Sequence, residues 1–246
     1  KMSSPGGKSK SLPKTPSKTA DAATLPCLVY IVIYHLVVAG GLIVWHYSAH
    51  RVVSPTQILL AVFQTINAWI CVCEWALLFY PQRIQRESAN FIATHGPHVL
   101  PPVFLFERAK LSELLTVRYW SIMWSTYASL DPAYVDTTTF GYCVDVGNGV
   151  TTLLPTILFA YGMTAQNSFL SAPALGMIGL VHFYQEWYGT VVYYFQFFNN
   201  KRHLKLSRNL VLGVVVPANA IWIVFPMLGM WASSRLILDG TFAVFS

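Results

Sequence analysis

The chain of 246 residues is 54% hydrophobic and only 11% charged, with a mean hydropathy of +0.49. Soluble domains average roughly 25% charged residues, so this composition excludes a globular protein in water and points to an integral membrane protein. The net charge of +6 does not indicate nucleic acid, because Lys and Arg cluster at the ends of apolar runs and form no basic groove interleaved with aromatics.

In chain order, residues 1–23 form a basic Ser/Pro/Lys segment without an aromatic residue, expected to be a disordered tail or the remnant of an organelle-targeting segment. Five apolar runs of spanning length follow, at 27–47, 56–80, 140–163, 170–198 and 209–232. Trp45, Tyr47, Tyr80, Tyr161 and Trp231 stand near their ends, as interfacial anchors do. The long connection 81–139 contains a less polar stretch, 111–130, read as an amphipathic helix lying at the interface, with a packed cap over the bundle as the alternative. Residues 24–55 thus hold the first span and its loop, 56–232 a four-helix membrane domain, and 233–246 a C-terminal tail. The expected fold is an all-α, five-transmembrane-helix bundle with an interfacial amphipathic helix before the third span.

Charge placement gives the orientation. The tail carries five Lys/Arg, the 81–139 connection five and the segment after the fourth span four, against Arg51 and Arg235 alone on the other side. This asymmetry predicts an N-terminus inside and a C-terminus outside. Cys27, Cys71, Cys73 and Cys143 all fall within spans. Cys71 and Cys73, two apart, point to different helix faces, so neither a zinc pair nor a disulfide framework is expected, and no metal or other cofactor.

The informative residues are those that do not belong in hydrocarbon. An ionisable side chain at a helix centre costs about 2.5–3.5 kcal/mol on insertion scales and is a functional candidate by default. Glu74, Asp145 and Glu186 are three such residues, each with polar company at helical spacing. Gln64, Asn67, Cys71 and Glu74 form one stripe on the second span; Asp145, Asn148 and Thr152 form one on the third. His182 and Glu186 share a face of the fourth beside Gln185, and Asn219 and Trp222 pair on the fifth between Pro217 and Pro226. The common place for four polar stripes is an interior cavity, with Trp69, Tyr142, Tyr184, Trp187 and Trp222 as aromatic lining. Buried amides by themselves are commonly no more than helix–helix glue, at about 0.6 kcal/mol each. Three carboxyls without a Lys or Arg inside any span need protons, amides or one another as partners. A protonated carboxyl in an apolar pocket equips an acid–base catalyst or a site for an amine-bearing ligand.

Several of these residues fall in an ordered set. Trp124-x-x-Tyr127-x-x-x-Asp131-x-x-Tyr134 precedes Asp145-x-x-Asn148; Tyr188-Gly189 with Tyr193-Tyr194 comes next, then Asn219-x-x-Trp222-x-x-x-Pro226. Over roughly residues 56–232 this resembles the EXPERA families: emopamil-binding protein, which is the sterol Δ8–Δ7 isomerase, its non-catalytic relative, the sigma-2 receptor family and the TM6SF proteins. The resemblance implies a sterol surrounded by Glu74, Asp145, Asn219 and Trp222, with a carboxyl protonating the ring alkene and aromatic and carboxylate groups stabilising the cation. The chain departs from the isomerases at Ile70, where they have His, at Asn148, where they have Thr, and at Glu186 and Thr190, where they have Gln and Asp.

The expectation is therefore a multi-pass membrane protein with a sterol- or lipid-binding cavity, isomerase-like if it is an enzyme. Glu74, Asp145 and Glu186 are its candidate catalytic groups, and Asn67, Asn148, His182, Tyr188, Asn219 and Trp222 its candidate ligand contacts. The resemblance favours the endoplasmic reticulum, with an organelle inner membrane as the alternative. The alternative function is a non-catalytic accessory subunit of a membrane complex that meets its partners through residues 1–23 and 81–139.

Overall fold

The computed structural model describes residues 24–96, 104–167 and 169–246, and it is mostly helical. The basic tail expected at 1–23 lies outside the described residues. Helix α1 (Cys27–His50) leads through a short turn into α2 (Pro55–Phe79), which starts on Pro55 with the Ser54 side chain accepting from the Gln57 amide. After α3 (Pro81–His95) come α4 (Leu111–Leu114), α5 (Ser121–Leu130), α6 (Phe140–Thr151), α7 (Leu153–Ala165) and α8 (Ala172–Asn199). The last helix, α9 (Arg208–Asp239), is continuous apart from a π turn over Val211–Val215.

Helices α1, α2 and α9 are long and apolar enough to cross a membrane; a fourth span results if α6 and α7, bent by 49°, are counted as one. The burial pattern fits a membrane protein. Val37, Val44, Leu154, Val181, Phe195 and Val224 point outward, while Gln64, Asn67, Glu74, Thr156, His182 and Glu186 are buried. Lipid accepts an apolar surface and offers no hydrogen bonds, so polar side chains gather inside.

Packing depends on small residues, as it does where lipid removes the hydrophobic drive between helices. Helix α8 runs along α9 with Gly176 against the Ser233 carbonyl, Gly179 against Phe159 and Ser233, and Gly229 of α9 against the Phe183 ring. Gly149 of α6 brings α2 close: a Cβ there would sit 2.8 Å from the Glu74 Cβ and 3.0 Å from the Cys71 carbonyl.

Two breaks shape the bundle. The expected continuous third span bends at Thr152 because Pro155 has no N–H for the carbonyl of Thr151. The hydroxyls of Thr151, Thr152 and Thr156 bond back to the carbonyls four residues earlier, which favours the bend. In α9 the π turn precedes Pro217, and Asn219 Nδ2 donates to the Val215 carbonyl at 2.8 Å, satisfying a group the irregular turn leaves available.

The connection before α6 differs from its sequence reading. In place of one amphipathic helix over 111–130 there are two pieces, and α5 packs onto the bundle with Met123, Trp124, Ala128 and Leu130 buried. Trp124 Nε1 donates to the Cys73 carbonyl at 2.7 Å, so this indole is a fastener that a surface helix would not provide. The strand pair Leu25–Pro26 and Arg108–Ala109, with the Cys27 amide donating to the Glu107 carbonyl at 2.8 Å, ties the start of α1 to the same cap. Helix α3, which carries Arg83, Arg86 and Glu87, was not anticipated as a separate element. The expected C-terminal tail is helical to Asp239, and the residues beyond fold back to bury Phe245 against Phe159.

Gly179→Val will place methyls inside the Phe159 ring and lower stability by about 1–3 kcal/mol. Gly40→Ala on α1, where nothing lies within 4 Å, serves as the neutral control. Thermal unfolding in detergent measures both.

Candidate functional site

The two ends of the bundle are built differently. At the end holding the α1–α2 turn and the C-terminus, Leu60, Phe63, Phe159, Met163, Leu175, Phe183, Leu236 and Phe245 form a solid core. At the other end a cavity of about 520 Å³ opens beneath the cap. Its walls come from the first half of α1, the second half of α2, α5, the start of α6, the second half of α8 and the first half of α9. Antiparallel neighbours bring those segments to one side. The lining is chiefly aliphatic and aromatic, including Ile66, Trp69, Ile70, Met123, Trp124 and Trp222.

Five of the sequence candidates line this cavity: Glu74, Asp145, Asn148, Asn219 and Trp222. Glu74 is buried on α2, and one of its carboxyl oxygens, like one of Asp145, has no hydrogen-bond partner among the described residues. Buried oxygens without a partner are uncommon in folded proteins, and both oxygens of Glu186 are a further case. Asn148 Oδ1 accepts from Gln185 Nε2 at 3.2 Å, which fixes its amide against α8. Trp222 stands edge-on to Phe63 at 5.3 Å, at the boundary between the hollow and the solid half. Ile70, at the position where the isomerases have His, also lines the cavity.

Three candidates lie behind the wall. Asn67, His182 and Glu186 sit in a polar seam between α2, α7 and α8 that does not face the cavity. His182 Nε2 is 3.3 Å from Gln64 Oε1, 3.5 Å from Thr156 Oγ1 and 3.7 Å from Glu186 Oε1. Asn67 Nδ2 donates to Thr156 Oγ1 at 2.8 Å, and Cys71 Sγ meets Thr152 Oγ1 at 3.1 Å. The α2 stripe is thus real but divided: its Glu74 end reaches the cavity, and its upper part bonds to the bent α6–α7 pair. Tyr188 is 47% exposed and stacks on Tyr184 outside the bundle. Two residues from Glu186 on a helix is the opposite side, and Gly189 and Thr190 line the cavity instead.

Sequence reasoning missed the ion pair at the cavity's rim. Asp131 is 1% exposed, and Arg202 Nη1 reaches its Oδ2 at 3.2 Å. The other carboxyl oxygen accepts from the Ala133 amide at 3.0 Å and caps the turn that carries Tyr134, while the Tyr193 hydroxyl donates to Oδ2 at 3.3 Å. Both tyrosines line the cavity. Burial, then the neighbouring Tyr193 and Asp145, pushes the Tyr134 phenol well above its ordinary range, so it remains a neutral hydrogen-bonding group. The Asp-Pro step at 131–132 signalled a turn; nothing local signalled a partner 71 residues away.

A lateral gap completes the geometry. Helix α1 packs on α2 and α7, and α9 on α8 and α2, leaving α1 and α9 with marginal contact although both line the cavity. Leu28 and Ile31 line the cavity from α1, and Val214, Ala218 and Ile221 from α9.

No protein-family model, curated protein or solved structure matches the chain.

Arg202→Gln will destabilise the protein by roughly 3 kcal/mol, because it leaves the buried Asp131 without its counter-charge, and Asp131→Asn will cost less, because Arg202 is partly exposed. The double variant will cost less than the sum of the two. A double-mutant cycle by thermal unfolding measures the coupling.

Proposed function

We propose that the chain is a five-span membrane protein whose cavity binds a sterol or another lipid of similar bulk, as its resemblance to the EXPERA families implies. The fifth span is α8: its 28 residues extend about 42 Å at about 1.5 Å per residue, enough for a hydrocarbon core of about 30 Å. Its His, Gln and Glu make it less apolar than the other spans; His182 meets Gln64 of α2 and Thr156 of α7, and Gln185 bonds to Asn148 and Thr151 of α6. The resemblance also favours the endoplasmic reticulum membrane.

The cavity carries this reading. About 520 Å³ falls within the range of small-molecule sites, about 300–1,000 Å³, and far exceeds an ordinary packing void. An accessory subunit that reuses the fold as scaffold fills such a space with side chains or a fixed lipid, and no side chain fills it here. A transmembrane proton or ion path needs a wetted file through both halves, and the aromatic core at the far end supports no such file.

In this reading the ligand's apolar body lies against Trp69, Trp124 and Trp222, and its polar atom meets Glu74 or Asp145. Any proton-transfer chemistry of the isomerase type falls to those two carboxyls, since Glu186 stands behind the wall. The gap between α1 and α9 supplies a route from the bilayer.

Native mass spectrometry of gently extracted protein will show one retained sterol or lipid molecule. Ala218→Phe, which fills the cavity from α9, will reduce that occupancy about tenfold or more while the protein stays folded. Equal retention by this variant, or extraction only within a large assembly at fixed stoichiometry, contradicts the binding reading. If the site isomerises a Δ8 sterol, Glu74→Gln will lose about a hundredfold in turnover; unchanged turnover removes Glu74 from the chemistry and leaves binding intact.

A further inference from the structure

Outside the cavity, α5 has a second face. Its Met123, Trp124, Tyr127 and Leu130 look into the cavity, whereas Ile122, Ser125 and Ser129 look the other way, into a groove of about 250 Å³ between α5, α3 and the segment before α4. Arg83, Glu87, Phe91 and Glu107 also line this groove, and Thr126 borders both spaces. Glu87 is held in place: its Oε1 accepts from Arg83 Nε at 2.8 Å and its Oε2 from Ser125 Oγ at 2.8 Å. Among the described lining residues two carboxylates stand against one guanidinium, a net negative balance on the side of the bundle where Lys and Arg are concentrated. Glu107 is exposed, and among the described residues its hydrogen bonds run through its backbone.

We infer that this groove is a binding site for the headgroup of a zwitterionic, amine-bearing phospholipid. The ammonium lies between Glu107 and the Phe91 ring, and the phosphate lies toward the outer nitrogens of Arg83. A carboxylate and an aromatic face are the groups that hold an alkylammonium. A bare anion is disfavoured by the two glutamates, and a neutral hydroxyl head leaves the charges without partners. A lipid source is favoured over a soluble one because Phe106, Leu111 and Leu115, flanking Glu107 in the chain, are 69%, 56% and 79% exposed. Apolar residues left uncovered beside a polar groove suit a membrane surface, with the headgroup in the groove and the chains in the bilayer. This site meets the cavity only at Thr126 and stands whether or not the cavity holds a sterol.

The test is binding of phosphatidylethanolamine and phosphatidic acid to the full chain in detergent, measured by titration under native mass spectrometry, with glycerophosphoethanolamine as the soluble headgroup. The wild type will prefer phosphatidylethanolamine to phosphatidic acid. Glu107→Gln, at an exposed position where folding is not at stake, will weaken the first about tenfold and strengthen the second, because one of the two repelling carboxylates is gone. Phe91→Leu will weaken it by a smaller factor. No preference in the wild type, or equal binding by Glu107→Gln, overturns the inference. Glycerophosphoethanolamine binding as tightly as the lipid also overturns it, in favour of a soluble ligand. Ala218→Phe will leave this binding unchanged, which keeps the two sites distinguishable.

Discussion

The hydrocarbon core of a bilayer supplies no hydrogen bonds, and this chain carries more polar side chains in its apolar helices than spanning alone requires. Everything else in the bundle follows from where those groups are satisfied. Gln64, Asn67 and Cys71 bond across to Thr152, Thr156 and His182, joining α2 to the bent α6–α7 pair and α8. Glu74, Asp145 and Glu186 each retain an unpartnered oxygen among the described residues, and of the three Glu74 and Asp145 border the cavity. The polar stripe therefore serves as glue along most of its length and as a site at one end.

That division matches the division of the packing. Glycines let α8 and α9 close against each other where the solid core lies, and the aromatic rings of Phe63, Phe159 and Phe183 fill what remains. Toward the other end, the irregular turn of α9 and the separation of α1 from α9 hold the helices apart. The cap of α5 then encloses the space instead of filling it, because Trp124 is anchored on the Cys73 carbonyl. Asp131 and Arg202 secure the rim by bridging the end of α5 to the segment after α8. A hollow half on a solid base is what the proposed lipid-binding reading requires.

Much of this was legible in the sequence because it is periodic and local. The helix runs appear where hydropathy places them: α1, α2, α8 and α9 begin or end within a few residues of the apolar runs. The stripe of Gln64, Asn67, Cys71 and Glu74 also points inward along its whole length, as its spacing requires. What was not legible depends on pairs distant in the chain or on local breaks weighed too lightly. Pro155 marked the bend of the third run but cannot give its angle. The 111–130 stretch has an apolar content that suits a surface helix or a buried cap equally, and only the bond from Trp124 to α2 decides between them. Tyr188 belonged to a sequence motif rather than to a helix face, and the helix turns it outward. Glu186 and His182 share an inward face, but inward on α8 means toward α2 and α7, and no single-helix pattern distinguishes a seam from a cavity.

The central claim is that the hollow half of the bundle holds a ligand that the solid half does not. An experimental structure of the protein in nanodiscs of its native lipids tests it most directly. The account predicts one elongated, non-protein density beneath α5, in contact with Trp222 and reaching Glu74 or Asp145. A bundle in which α5 and α9 have closed on Trp222, with side chains occupying the space and no ligand density, would contradict it.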